Sequence, residues 1–197
     1  LHKKKVLILT HRIELCNQTS KMLLGFNVNN KIINSTVKEL PDQDEYQCFV
    51  AMVETLNNRL NDDKVEVNDI GLVIIDEAHY IQNSDAQRTQ LLNDVLVTIK
   101  NVWLLTGTPI TSRPINYYNL LKIVGSPLTL NWASYVRRYC SGYQFRVGNR
   151  KVWNTSGSSN LDELREQTKN LVLRRMKTEV LDLPEKIVTP VFVELTS

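Results

Sequence analysis

Residues 72–75 read Leu-Val-Ile-Ile, an unbroken run of leucine and β-branched side chains, and the run stops at two acids, Asp76 and Glu77. A strand that apolar is covered on both faces, which is the situation of a central strand in a parallel sheet. Parallel neighbours require crossover connections, so the rest of the chain must supply more short apolar runs separated by helices. It does so. Residues 6–10, 32–33, 49–53 and 102–105 are strand candidates. Helical spacing covers 14–24, through Leu15, Met22 and Leu23, and returns over 85–99. Residues 57–69 are polar and read as a helix end followed by a loop. Ser112-Arg113-Pro114 offers a cap and a proline suited to the first turn of another helix. The alternation of strand and helix predicts an α/β fold with a parallel sheet up to about Val124.

The pattern changes after Gly125. Residues 132–139 predict a short helix, 142–159 are rich in Gly, Ser and Asn and read as an irregular excursion, and 161–181 return to helical spacing. Pro184 ends that helix, and 187–195 read as a strand or linker. Three units follow: residues 1–125 as an α/β lobe, 126–182 as a small, mainly helical subdomain, and 183–197 as a linker.

Composition narrows the class. The 197 residues are 42% hydrophobic and 23% charged, as in ordinary globular proteins. A net charge of +3 makes any polyanion surface local rather than global. Cys16, Cys48 and Cys140 are odd in number and widely spaced, which argues against a disulfide framework or structural zinc and for a reducing, intracellular compartment. No apolar run approaches the roughly 20 residues of a membrane span.

Chemistry concentrates at Asp76-Glu77-Ala78-His79. Ligands bind to open α/β sheets at the carboxyl ends of the strands, where this carboxylate pair falls. Hydrolysis of a nucleoside triphosphate needs one acid to hold Mg²⁺, usually through water, and a second to orient or deprotonate the attacking water. Asp76 suits the first role and Glu77 the second; the plainer alternative is that both merely cap a following helix. Thr106-Gly107-Thr108-Pro109, after the strand at 102–105, is the next candidate. Gly107 permits a close backbone approach, and the two hydroxyls can reach both the acidic loop and a phosphate backbone. Read by itself the segment is an ordinary turn.

V-I-I-D-E-A-H followed by W-L-L-T-G-T-P-I resembles motifs II and III of superfamily 2 helicases and translocases. The T-G-T-P form, with L-R-R-M-K-T-E-V-L at 173–181 and L-P-E-K at 183–186, resembles the SWI/SNF branch. R-R-Y-C at 137–140 and S-G-S-S-N-L-D-E-L at 156–164 resemble the annealing-helicase (HARP-like) group most. L-I-L-T-H-R-I-E-L-C-N-Q at 7–18 resembles motif Ia, and A-M-V-E-T-L at 51–56 resembles motif Ic.

The resemblance implies a RecA-like first motor lobe that binds ATP and Mg²⁺ and couples hydrolysis to tracking along duplex or forked DNA. It implies catalytic roles for Asp76, Glu77 and His79, coupling roles for Thr106, Gly107 and Thr108, and a DNA phosphate track near Thr10, His11, Arg12 and Thr55. Arg174, Arg175 and Lys177 form a basic cluster on the expected helix at 161–181, where spacing sets Arg174 and Lys177 on one side. Arg137 and Arg138 form a second cluster, and Trp132, Tyr135 and Tyr139 are expected in the core. Solvated helix faces have the same look.

The sequence departs from the family pattern in one respect. Such motors carry a glycine-rich loop with Gly-Lys-Ser or Gly-Lys-Thr, whose backbone N–H groups and lysine cradle the phosphates. The chain has seven glycines, and none precedes a lysine. That loop, a second lobe and its arginine finger are expected outside this sequence. Two other readings stay open: a restriction-type or phage helicase lobe, and a non-catalytic DNA- or protein-binding module of motor-lobe fold.

Overall fold

The computed structural model describes residues 4–40, 42–61, 67–96, 99–109 and 113–175. Five strands form one parallel sheet: β1 (Lys5–Thr10), β2 (Asn30–Ile33), β3 (Cys48–Met52), β4 (Ile70–Ile75) and β5 (Val102–Leu104), in the order β2-β3-β1-β4-β5. Every pairing is parallel. The connections run through α1 (Ile13–Gly25), α2 (Val53–Asn61) and α3 (Gln87–Leu96). Leu9 pairs with Ala51 on one side and Ile75 on the other, so the ends of β1, β3 and β4 line up along one rim.

Alternation along the strands explains the two layers. Leu7, Leu9, Phe49, Ala51, Val73 and Ile75 face the larger core, while Val6, Ile8, Val50 and Cys48 face α1 through Cys16 and Leu23. Met22, a helix-face candidate, instead stands 65% exposed, and Cys16 is the buried residue of α1. On the α1 side of the sheet, Trp103 of β5 is 59% exposed.

Pro114 opens α4 (Pro114–Ile123) at its first turn, with Arg113 at the cap; Ser112 lies outside the described residues. Next comes α5 (Trp132–Tyr139), capped by the Asn131 side chain, which accepts from the Ser134 N–H. Buried Tyr135 donates its hydroxyl to the Pro114 carbonyl at 2.8 Å, which locks α5 to the start of α4. The main core continues from the sheet through Tyr117, Leu120 and Leu121 into Tyr135, Val136, Tyr139 and Leu164 without a break.

Two expectations need correction. The stretch expected to be irregular contains a β-hairpin, β6 (Tyr143–Val147) and β7 (Arg150–Asn154), joined through Gly148 and Asn149. The helix expected over 161–181 is only α6 (Leu161–Thr168) within the described residues. At its end Thr168 turns its hydroxyl back onto the Leu164 carbonyl (2.8 Å), a local bond that competes with helix continuation. Residues 169–171 form a turn and 172–175 have no regular structure, and everything from 176 onward, including Pro184 and 187–195, lies outside the described residues.

Candidate functional site

The strand β4 delivers Asp76 and Glu77 to the rim, where its neighbours still hold it. The Asp76 N–H donates to the Leu9 carbonyl (2.9 Å), and the Leu105 N–H to that of Ile75 (2.9 Å). The chain then turns sharply. Glu77 takes a left-handed backbone (φ 53°), its N–H donates to Asp76 Oδ1 at 3.0 Å, and Ala78–Ile81 forms one 3-10 turn. The Ala78 N–H reaches the Leu105 carbonyl at 2.8 Å. A non-glycine residue at positive φ is costly and is held only by surroundings that over-determine it. Glu77 precedes the turn but makes no side-chain capping bond to it, so its carboxylate is not accounted for as a cap.

That carboxylate points at His79. Glu77 Oε2 lies 3.2 Å from His79 Nδ1, and the same nitrogen is 3.4 Å from Thr106 Oγ1. One imidazole therefore joins the acidic loop to the segment after β5. Thr106 Oγ1 also accepts from the Thr108 N–H at 3.1 Å. Gln82, just beyond the 3-10 turn, donates to the carbonyls of Pro109 (2.9 Å) and Thr108 (3.4 Å). Buried Asn119 of α4 donates to the Ile81 carbonyl at 2.6 Å, holding the turn from behind. Gly107 corrects the sequence reading: nothing lies within 4 Å of where its Cβ would stand, so no close backbone approach within the described residues requires glycine there.

The candidates at the end of β1 separate on inspection. Thr10 is 1% exposed; its hydroxyl donates to the Arg12 carbonyl (3.0 Å) and meets Cys16 Sγ (3.0 Å), so it braces the strand end and offers nothing outward. Arg12 is exposed, and Thr55 is half-buried in the first turn of α2. His11 stacks on Tyr80 with ring centroids 4.1 Å apart, and Tyr80 also meets His79 at 4.3 Å. Arg88 of α3 sits over the Tyr80 ring, 5.8 Å from its centroid. Tyr80 thus couples the β1 end to the acidic loop, a role that only its position beside His79 could have signalled in the sequence. Glu54 is the other residue missed: its Oε2 and His11 Nδ1 are buried without a protein partner, and both residues line a cavity of about 10 Å³ with Asp76. In front of them an open cleft of about 380 Å³ is bordered by Arg12, Glu14, Gln18, Glu77, His79 and Tyr80.

The two basic clusters fare differently. Arg174 and Arg175 are exposed but not helical, and Lys177 lies outside the described residues, so the expected shared helix face is not found. Arg138 is engaged with Glu163, which also accepts from the Tyr139 hydroxyl at 3.0 Å. These bonds hold the Glu163 carboxyl below the ordinary carboxylate range, the Arg138 bond contributing most. Tyr135 and Tyr139 are core residues as expected, whereas Trp132 is 38% exposed.

Residues 17–197 match the model of the SNF2-related domain. The chain belongs to the SNF2-related family. It is 35% identical over 143 residues to the bovine DNA annealing helicase and endonuclease ZRANB3, covering 72% of the chain and 13% of that protein. It is 36% identical over 147 residues to the Drosophila melanogaster SWI/SNF-related matrix-associated actin-dependent regulator of chromatin subfamily A-like protein 1, covering 71% of the chain and 19% of that protein. The fold matches the Sulfolobus solfataricus SWI2/SNF2 ATPase core in complex with dsDNA with a TM-score of 0.68 at 16% identity, covering 93% of this chain and 36% of that one. The chain therefore spans less than a fifth of the length of these curated relatives.

Proposed function

We propose that this SNF2-related chain is part of the first lobe of a DNA-dependent ATPase that uses ATP hydrolysis to move along or remodel duplex or forked DNA. The observation that carries the reading is the Asp76-Glu77 pair at the rim of β4, with Glu77 and Thr106 sharing the His79 ring. Asp76 would hold Mg²⁺ and Glu77 would orient and deprotonate the attacking water. The donor set fits that metal. Asp76 stands at the rim with Oδ1 held by the Glu77 N–H, and Mg²⁺ on a nucleotide needs only one or two carboxylates beside phosphate oxygens.

Coupling would run from Glu77 through His79 to Thr106, Gly107 and Thr108, which stand where a second lobe would meet this one. His11, Arg12 and Thr55 supply the DNA side, and the ring of Tyr80 joins His11 to the acidic loop. By analogy with the chromatin and annealing-helicase relatives, the protein would work inside the cell, on DNA and with a second lobe of the same polypeptide. No described helix is long and apolar enough to cross a membrane.

Glu77→Gln tests the assignment because it removes the base and keeps the shape. In the full-length protein it should lower DNA-stimulated hydrolysis by at least about a hundredfold while nucleotide affinity stays within about threefold. Asp76→Ala should weaken Mg²⁺-nucleotide binding as well. Unchanged turnover in Glu77→Gln would rule out the base role given to Glu77, and no DNA-stimulated hydrolysis at all by the full-length protein would leave the non-catalytic module.

A further inference from the structure

The hairpin β6–β7 has two faces, and only one is accounted for. Residues directly opposite in an antiparallel pair share a face. Gln144 opposes Trp153, and Arg146 opposes Lys151. Trp153 anchors this face to the body: it packs edge-on against Trp132 of α5 at 5.5 Å, and Arg137 lies over its ring at 5.0 Å. The other face carries Tyr143, Phe145, Val147 and Val152, which are 58%, 41%, 58% and 40% exposed. The Tyr143 and Phe145 rings stand 6.2 Å apart along one strand, and Asn154 donates to the Tyr143 hydroxyl, fixing that ring. A bare apolar row on a two-stranded ribbon invites association unless it has an occupant.

Charge identifies the occupant. Between Asp94 and Asp162 the sequence contains no Asp or Glu but eight Lys and Arg, although the whole chain is only +3. Three of these cations, Arg146, Arg150 and Lys151, flank the hairpin tip, with Arg150 on the aromatic face itself opposite Val147. Arg146 and Lys151 stand directly opposite each other, an arrangement that repels unless an anion lies between or beside them. Stacking rings in a carboxylate-free cationic stretch suit a strand whose bases are unpaired and whose backbone is negative. A duplex hides its base faces, and an acidic protein segment would not call for planar rings at successive outward positions.

We propose that the aromatic face of the β6–β7 hairpin binds unpaired DNA, with Tyr143 and Phe145 stacking successive bases and Arg150 on the same face holding the backbone, while Arg146 and Lys151 on the opposite face add only to the local positive field. The site deepens the motor reading by placing a single-strand contact beside a duplex-tracking lobe, and it rests on that reading only for the choice of DNA as polyanion.

The test uses the full-length protein with fluorescein-labelled oligothymidine and a blunt duplex as probes, read by anisotropy. Tyr143→Ala with Phe145→Ala should weaken oligothymidine binding at least about fivefold and leave blunt-duplex affinity within about twofold. Phe145→Trp should retain single-strand affinity. Arg150→Gln should lower the salt dependence of oligothymidine binding by about 0.7 in the log–log slope. Parent-like oligothymidine binding by the double alanine variant, with its melting temperature unchanged, overturns the proposal and leaves the hairpin as a protein-docking face. The motor reading is scored separately: if blunt duplex fails to stimulate ATP hydrolysis by the parent, that reading fails whatever the hairpin variants do.

Discussion

Tyr80 is a single ring with three neighbours, His11, His79 and Arg88, each from a different part of the fold. Its contacts join the end of β1 to the acidic loop. Tyr80 is 39% exposed, so truncation should cost little stability while cutting the link. Tyr80→Ala in the full-length protein is expected to keep its basal hydrolysis and lose at least half of the DNA stimulation; a proportional fall in both would place Tyr80 in the nucleotide pocket instead. The cysteines give a simpler check on packing. Burial pushes the Cys48 and Cys140 thiols up to about 11 and raises that of Cys16 as well. Alkylation proceeds through the thiolate, so at pH 8 Cys48 and Cys140 should react roughly a hundredfold more slowly than ordinary thiols. All three should react promptly once the chain is unfolded in guanidinium, and rapid labelling of the native protein would mean that α1 or α5 is not packed as described.

At the scale of elements, the link between α5 and the hairpin depends on one glycine. A Cβ on Gly142 would overlap Val136 Cγ1 and stand 2.8 Å from the Val136 carbonyl oxygen, and the latter is backbone that accepts the Gly142 N–H. Gly142→Ala should destabilise the protein by about 1–3 kcal/mol through overpacking, seen as a lower melting temperature. Ala at Gly148 would be strained by its positive φ but would meet no atom, so comparing the two substitutions separates contact from backbone conformation.

The same region shows what a sequence discloses. Strands β1, β3 and β4 and helix α5 were legible because burial on both faces or on one stripe writes an unambiguous period. The acid pair was legible because it ends such a strand. The hairpin was overlooked although its signal exists: Tyr143, Phe145 and Val147 alternate with polar residues, and Gly148-Asn149 is a two-residue turn. The Gly, Ser and Asn content of 154–160 obscured it, since that segment is held by side-chain bonds such as Ser159 Oγ to the Arg138 carbonyl rather than by a ladder. The overextended helix at 161–181 arose because Leu171, Val172 and Leu173 continue an apolar pattern that the structure leaves exposed. Tyr80 and Glu54 were illegible because their partners come from other elements, which no local period records.

At the scale of the whole molecule, a hydrolytic site of the proposed kind would draw only some of its parts from this chain. It supplies an acid pair, a histidine bridge and an open cleft, all at the carboxyl rim of a parallel sheet. It supplies no Gly-Lys-Ser or Gly-Lys-Thr, and seven glycines are spread so that none opens a helix with a following lysine. Phosphoryl transfer has little covalent chemistry for the protein to perform, so positioning of the phosphates and neutralisation of their charge dominate the rate. In the proposed roles Asp76 and Glu77 would act on metal and water, and neither would restrain the β- and γ-phosphates. On the α1 side, Trp103 of β5 is 59% exposed, although parallel sheets are ordinarily covered on both faces. The 197-residue chain by itself should therefore hydrolyse ATP negligibly with or without duplex DNA, whereas the full-length protein should show stimulated turnover in the range of about 1 s⁻¹ or faster. Phosphate release measured on purified chain at saturating ATP, Mg²⁺ and duplex decides the matter. Turnover near 1 s⁻¹ from the chain alone would mean that this lobe cradles phosphate by some other group, and Arg12 at the mouth of the cleft would be the first residue to replace.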